Sequence, residues 1–229
     1  MTSIRKAFWE VPHLSRPQRS LRKIFTIYCE GDTEYHYINH MRKNQGVELS
    51  LKPVNMKGGG YLNFLDHVKS DAKNNCLAKF IIVDADKARD DLGERKNLKL
   101  LIDYCSLQNK KGAIPHFLIL DSPDFEYVAC LHDPNYKNQD TERYIRTVFG
   151  FQSLETFKKY EKIYEFLNSD GRSYKDMIGK TKAGECIIRQ RYTISKKRFD
   201  VRIIQTQYDP EKYWTRGSNI FEFFDVIDW

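Results

Sequence analysis

Apolar and polar residues fall into two alternating kinds of block along this chain. Short runs rich in β-branched and aromatic side chains occupy 24–30 (IFTIYCE), 48–55 (ELSLKPVN), 79–84 (KFIIVD) and 115–120 (PHFLIL). Runs of this length, bounded by Gly, Pro, Asn or Asp, predict β-strands. Pro53 lacks an N–H for the ladder, so the second strand suits a sheet edge. Between the strands, apolar positions recur every three or four residues. Tyr37, Ile38 and Met41 predict a helix from Thr33, a residue able to cap it, to about Asn44. After the Gly58-Gly59-Gly60 break, Leu62, Leu65 and Val68 predict the apolar face of a helix over 61–73. Further helices are expected at 95–108 and 124–131.

Strands alternating with helices predict an α/β layer around a mainly parallel sheet. Beyond about residue 140 the pattern turns to helical runs at 153–168 and 181–192, with a late strand near 200–206. The closing FEFFDVIDW has helical spacing and reads as core packing. HDPNYKNQD interrupts the pattern near residue 138. The chain therefore divides into a basic arm (1–23), an α/β domain (24–138) and a basic, helical region (139–229) packed on that domain.

Composition narrows the class. With 229 residues, 41% hydrophobic and 14% aromatic, the chain can bury a substantial core. No apolar run approaches the ~20 residues of a membrane span, and the N-terminus has no secretory apolar stretch. Five cysteines without a CxxC pair predict buried thiols in a reducing compartment, with the cytoplasm as the default. The net charge of +7 is unevenly spread: residues 1–23 carry +5 and residues 172–202 carry +7, which leaves −5 for the remainder. Basic flanks around an acidic centre suit a protein that grips a polyanion such as DNA or RNA.

The acidic centre has two parts. The first strand runs into Glu30-Gly31-Asp32, and the third ends in Asp84-Ala85-Asp86. Ionised carboxylates at strand ends cannot fill a core, because an unpaired buried charge costs several kcal/mol or neutralises. Were the two strands neighbours, Glu30, Asp84 and Asp86 would converge. Residues i and i+2 on a strand point to one side, so Asp84 and Asp86 can share one ion. A hard divalent cation, Mg²⁺ or Mn²⁺, would reverse their repulsion. Two other Asp-x-Asp chemistries fit less of the sequence. A phosphatase of the haloacid-dehalogenase type has its nucleophilic Asp near the N-terminus and leaves the Glu-Gly unexplained. A nucleotide-sugar transferase would leave Glu30 and the basic flanks idle.

An apolar strand ending in Glu-Gly, then a helix, then a strand ending in Asp-x-Asp, resembles the Toprim domain of topoisomerases, primases and overcoming-lysogenization-type nucleases. More closely, CEGDTEYHYI (29–38), VDADK (83–87), DSPDFEYVACLH (121–132) and SNIFEFFDVI (218–227) resemble the RloB-like family. The chain departs from that family's pattern at Tyr35, Ser122 and Asp124. The resemblance implies a Rossmann-like Toprim fold and a Mg²⁺- or Mn²⁺-dependent endonuclease, acting in abortive infection beside an ABC/AAA-type ATPase encoded nearby. It implies Glu30 as metal ligand or general acid/base, and Asp84 and Asp86 as metal ligands. Glu126 would help place a second ion or the substrate, and Lys87 would offset charge on the scissile phosphate. The alternative is a non-catalytic Toprim-like module that binds nucleic acid or the ATPase.

Smaller features carry weaker expectations. Gly58-Gly59-Gly60 could bind a phosphate but reads better as a connector. His132 reads as a satisfied core histidine, and His36 and His40, four apart, as polar-face residues rather than ligands. Residues 186–202 (CIIRQRYTISKKRFDVR) mix basic and aromatic side chains. There Arg189, Arg191, Lys196, Lys197 and Arg198 are the candidate nucleic-acid contacts, read as one face of a helix.

Overall fold

Four strands, β1 (Ile24–Cys29), β2 (Ser50–Asn55), β3 (Ala78–Asp84) and β4 (His116–Ser122), build the central layer. They belong to a computed structural model that describes residues 24–44, 50–71, 76–112, 114–195 and 200–227. All four run parallel, in the order β2-β1-β3-β4. A separate antiparallel ribbon is formed by β5 (Ile188–Ser195) and β6 (Asp200–Tyr208). The two-residue β7 (Gly217–Ser218) then pairs antiparallel with the outer edge of β4. The expected α/β architecture with a mainly parallel sheet is present, and Pro53 does lie on an edge strand.

Residue parity distributes the sheet between two cores. Phe25, Ile27, Cys29, Phe80, Ile82, Phe117 and Ile119 face one way, toward helix α1 (Asp32–Asn44) and the C-terminal helices. Tyr28, Ile81, Val83, Leu118 and Leu120 face the other. There they meet α2 (Gly60–Ser70) and α4 (Leu92–Lys110), which pack on each other; the short α3 (Asp86–Asp90) leads from β3 into α4. Strands buried on both faces must be apolar throughout, which is why KFIIVD and HFLIL read as continuous runs. Each fully buried Phe or Ile contributes roughly 1.5–3 kcal/mol.

The first core runs through residue 138, joining β1 and β4 to Tyr144 and Ile145 of α6 (Thr141–Thr147). It also takes in Cys130 of α5 (Phe125–Cys130), Phe157 of α7 (Leu154–Lys158) and Ile163 and Leu167 of α8 (Ile163–Leu167). Met177 of α9 (Tyr174–Ala183) and Phe223, Phe224 and Val226 of α10 (Phe221–Ile227) complete it. The C-terminal FEFF segment is core, as its spacing predicts.

The sheet edge beyond β4 is finished by side chains. Gln190 of β5 accepts from Leu118 N–H and donates to Leu118 O, copying a strand partner. Asn219 accepts from Leu120 N–H at 2.8 Å and also donates to Leu118 O. The carboxylate of Glu222 gathers the N–H of Gln190, its amide and the Asn219 amide at 2.7, 2.7 and 3.1 Å. Buried polar groups satisfied in this way rigidify an edge without exposing it. At Gly217 a Cβ would stand 1.7 Å from Glu185 O, so only glycine lets β7 approach that loop.

Several elements differ from expectation. Residues 181–192 are not one helix: α9 stops at Ala183 before Gly184, and β5 begins at Ile188. Burial alternates there, with Ile188 and Gln190 inside and Arg189 and Arg191 outside, so the true period is two rather than 3.6. The C-terminal region is thus helical plus a ribbon. The 153–168 run divides into α7 and α8, and α3 was not anticipated. In α2, Tyr61, Phe64, Leu65 and Val68 are buried, whereas Leu62 is 45% exposed. The arm at 1–23 and residues 48–49 lie outside the described residues. Among the described residues no helix is long and apolar enough to cross a membrane.

Candidate functional site

The strand order creates the site. From β1 the chain crosses to β2 on one side, then returns to place β3 on the other, so the connections diverge between β1 and β3. At such a switch point the carboxyl ends of the strands open a crevice, where open α/β sheets take their ligands. Glu30 follows β1, Asp84 closes β3 and Asp121 lies near the end of β4. β1 and β3 are direct parallel neighbours, with Cys29 opposite Ile82. The expectation that their terminal carboxylates converge is met for Glu30 and Asp84.

Hydrogen bonds fix this pair. Asp84 N–H donates to Glu30 Oε2 at 2.9 Å, and Lys87 Nζ donates to Glu30 Oε1 at 3.1 Å. Asp84 Oδ1 accepts from Phe125 N–H at 2.9 Å, at the start of α5. Tyr61 of α2 clamps the turn after β3 by donating to Asp84 O and accepting from Ala88 N–H. Ala85 N–H donates to Asp121 O and Pro123 O, tying the ends of β3 and β4 together. Behind Glu30, its own carbonyl accepts from Gly58 N–H at 2.8 Å. That loop has positive φ at Lys57, Gly58, Gly59 and Gly60, which the three glycines adopt without strain. The glycine run is therefore an ordered connector braced on the end of β1.

More carboxylates enter than those named from the sequence. Glu34, in the first turn of α1, is buried and reaches back to Gly31 N–H at 3.2 Å. Glu126 in α5 is buried, accepts from Thr33 Oγ1 and pairs with Lys158 at 3.1 Å. Asp121 is fully buried; Ser218 donates to one of its oxygens, and the other has no hydrogen-bond partner. Asp124 caps α5 through Tyr127 N–H.

Electrostatics mark this cluster as strained. Burial, then repulsion from Glu126, Glu30 and Asp121, pushes Glu34 well above the carboxylate range. Burial and then Glu34, Glu30, Glu126 and Asp121 do the same to Asp84. Asp121 is raised to about 7, mainly by burial. Glu126 is raised by burial despite Lys158. Burial alone would lower Lys158, but Glu126 outweighs it and holds the ammonium charged. Pairs of like charges brought together in a cleft and shifted into the neutral range are the usual mark of a working site.

Asp86 stands apart. Ala85 takes a helical conformation (φ −95°, ψ −2°), so Asp86 opens α3 instead of continuing the strand. It is exposed, and its carboxylate accepts from Lys87 N–H. The same-side expectation for Asp84 and Asp86 is therefore corrected: Asp86 lies at the rim, within electrostatic reach of Asp124 and Tyr61.

Among the described residues, no group of three His, Cys, Asp or Glu side chains stands close enough, as placed, to hold a metal. The donor chemistry itself fits a hard divalent cation, since every ligand candidate is a carboxylate and a buried oxygen of Asp121 is unpartnered.

The minor candidates resolve simply. His132 is fully buried, bonded to Tyr37 OH at 2.9 Å and to the carbonyls of Val128 and Ala129. Burial lowers its pKa to about 4, so it is a neutral core residue. His40 pairs with Glu165 at 2.8 Å, and His36 packs edge-on against Tyr35. Arg189 and Arg191 lie on β5, far along the chain from the acidic cluster, while Lys196, Lys197 and Arg198 lie outside the described residues.

Comparison with known proteins is silent. No family model matches the chain, and neither a curated protein nor a solved structure is recognisably similar to it.

The sequence held signals for the missed residues. Asp121 ends Leu-Ile-Leu-Asp as Asp84 ends Ile-Ile-Val-Asp, and Glu34 lies four residues beyond Glu30, in the first turn of α1. Lys158 had no local signature, because only the α5–α7 packing brings it to Glu126.

Proposed function

We propose that this protein is a metal-dependent phosphodiester hydrolase of Toprim type, cleaving nucleic acid with Mg²⁺ or Mn²⁺. One observation carries the reading. Glu30, Glu34, Asp121 and Glu126 all lie within electrostatic reach of Asp84 at the carboxyl end of the sheet, and among the described residues Lys87 and Lys158 are the ion-pair partners of these five carboxylates. Such a centre is costly for stability alone, and a divalent cation is the ligand that offsets it. Glu30 and Asp84 would hold the ion, Asp86 would reach it from the rim, and Glu126 would serve a second ion or the substrate. A bound cation would activate water and stabilise the leaving oxygen. Lys87, half-exposed beside Glu30, is positioned to meet a phosphate. The defence setting and the ABC/AAA-type ATPase partner belong to this proposal through the resemblance to RloB-like proteins.

A second reading has its own support. Glu30 and Glu126 are each held by a lysine, the arrangement of a closed centre in a non-catalytic Toprim-like binding module. Cleavage of labelled DNA and RNA with Mn²⁺ separates the two. Wild type should cut, and Asp84→Ala with Asp86→Ala should not. No cutting by wild type, or equal cutting by both, favours the binding module.

A further inference from the structure

The β5–β6 ribbon lies with one face on the core and the other in solvent. Inward go Ile188, Gln190 and Val201, all buried. Outward go Arg189, Arg191 and Thr193 from β5, opposite Gln207, Gln205 and Arg202 of β6, and all six are exposed. A bulge after Arg191 leaves Ile204 unmatched and 54% exposed in the middle of this face. Arg189 is committed: it donates to Gly184 O and stacks on Phe221. Among the described residues Arg191 has no ion pair, and Arg202 pairs only with the half-exposed Asp200. Residues 186–202 hold six Arg or Lys against one Asp, a net charge of +5.

From this we infer that the ribbon's outer face docks in the major groove of B-form DNA, so that the partner is double-stranded DNA. A two-stranded ribbon fits that groove, which is ~12 Å wide. Eight or nine residues at ~3.3 Å each run alongside about eight base pairs. The side chains presented are of the kinds that read base edges: Arg191 for guanine, Gln205 and Gln207 for adenine, and Ile204 for a thymine methyl. The groove of an A-form RNA duplex is too narrow and deep for such a ribbon. An acidic peptide would be served by charge alone and leaves the glutamines without a role. The ribbon's Ile188–Tyr208 end adjoins β4 through Gln190, so docked DNA would extend along the flank of the same sheet that carries the acidic centre. The inference rests on the nucleic-acid part of the function proposed above and not on cleavage.

The test is fluorescence anisotropy on the full chain, in EDTA, with a labelled DNA duplex, its single strand and an RNA duplex of the same sequence. Wild type should bind the DNA duplex at least about tenfold tighter than either alternative. Arg191→Ala with Arg202→Ala should weaken duplex binding about tenfold and reduce the salt slope by about two. Gln205→Ala with Gln207→Ala should leave the slope unchanged and weaken only the preferred sequences in a randomised duplex pool. Arg143→Ala with Arg146→Ala, both exposed on α6, should have a smaller effect. Equal affinity for all three nucleic acids, an unchanged slope in the arginine pair, or no binding overturns the inference. Duplex binding that needs the ribbon, in a protein that never cuts, would overturn the hydrolase reading and leave this one standing.

Discussion

Buried carboxylates lie in two places beside β4, Glu222 on one side and the acidic centre at its carboxyl end, and the two are built on opposite terms. Glu222 receives three N–H donors from Gln190 and Asn219. Asp121 receives one hydroxyl and keeps an unpartnered oxygen, while Glu34 receives a single backbone amide and faces other carboxylates. Both regions are raised by burial, Glu222 and Asp121 each to about 7. The contrast separates architecture from chemistry. A carboxylate whose acceptors are all used finishes a sheet edge, whereas a group of under-compensated carboxylates in a crevice is the feature on which the proposed cation site rests.

The sharpest way to break this contrast is through activity. Asp84→Asn with Asp86→Asn should lower cleavage about 10²–10³-fold, the loss expected when several kcal/mol of transition-state charge stabilisation disappear. Thermal unfolding without cation should move up, not down, since a repelling charge is removed. A large drop in unfolding temperature would put Asp84 on the architectural side.

Next in size is Glu222→Ala. It strands three donors at roughly 1–3 kcal/mol each, partly relieved by relaxation, so a loss of about 3 kcal/mol is expected. In a chain of this size the unfolding temperature should fall by roughly 6–12 °C. A near-neutral result would remove Glu222 from the edge network.

A smaller effect appears with pH. Carboxyls raised in the folded state contribute stability that is lost as pH climbs through their folded pKa. Asp121 and Glu222, both near 7, and the raised Glu34 and Asp84 therefore predict a falling unfolding temperature from pH 6.5 to 8 without cation. His116 and His132, lowered to about 4 by burial, act in the opposite direction below pH 6.5. Above pH 6.5 only the acids contribute. A flat profile there would mean the acidic centre is already compensated.

The smallest expected shift comes from Glu34→Gln. It keeps an acceptor for Gly31 N–H but removes the charge, and should raise the cation-free unfolding temperature by a few degrees at pH 8. Lowering it would show that Glu34 mainly serves the start of α1.

What was legible in the chain followed from local rules. Continuous apolar runs gave β1, β3 and β4 and their parallel packing, and terminal acids gave Glu30 and Asp84. Where a local rule met a competing one, reading failed. Residues 188–195 contain enough Ile, Tyr and Arg for a helical face, and only the alternation of burial made in the folded state reveals a strand. Asp86 obeys strand parity on paper, but Ala85 turns the chain into α3 first. Lys158 and the pairing of Gln190 with Leu118 depend on tertiary contacts between segments over 30 and 70 residues apart, which no local period encodes.

The central claim is that the acidic centre at the switch point takes up a divalent cation. Titration calorimetry with Mn²⁺ at pH 7.5, run in two buffers of different ionisation enthalpy, tests it without reference to activity. Wild type should bind with release of protons, because the raised carboxyls must ionise to ligate, and Asp84→Asn should lose that binding. Absence of Mn²⁺ binding by wild type, or the same binding by Asp84→Asn, would contradict the account.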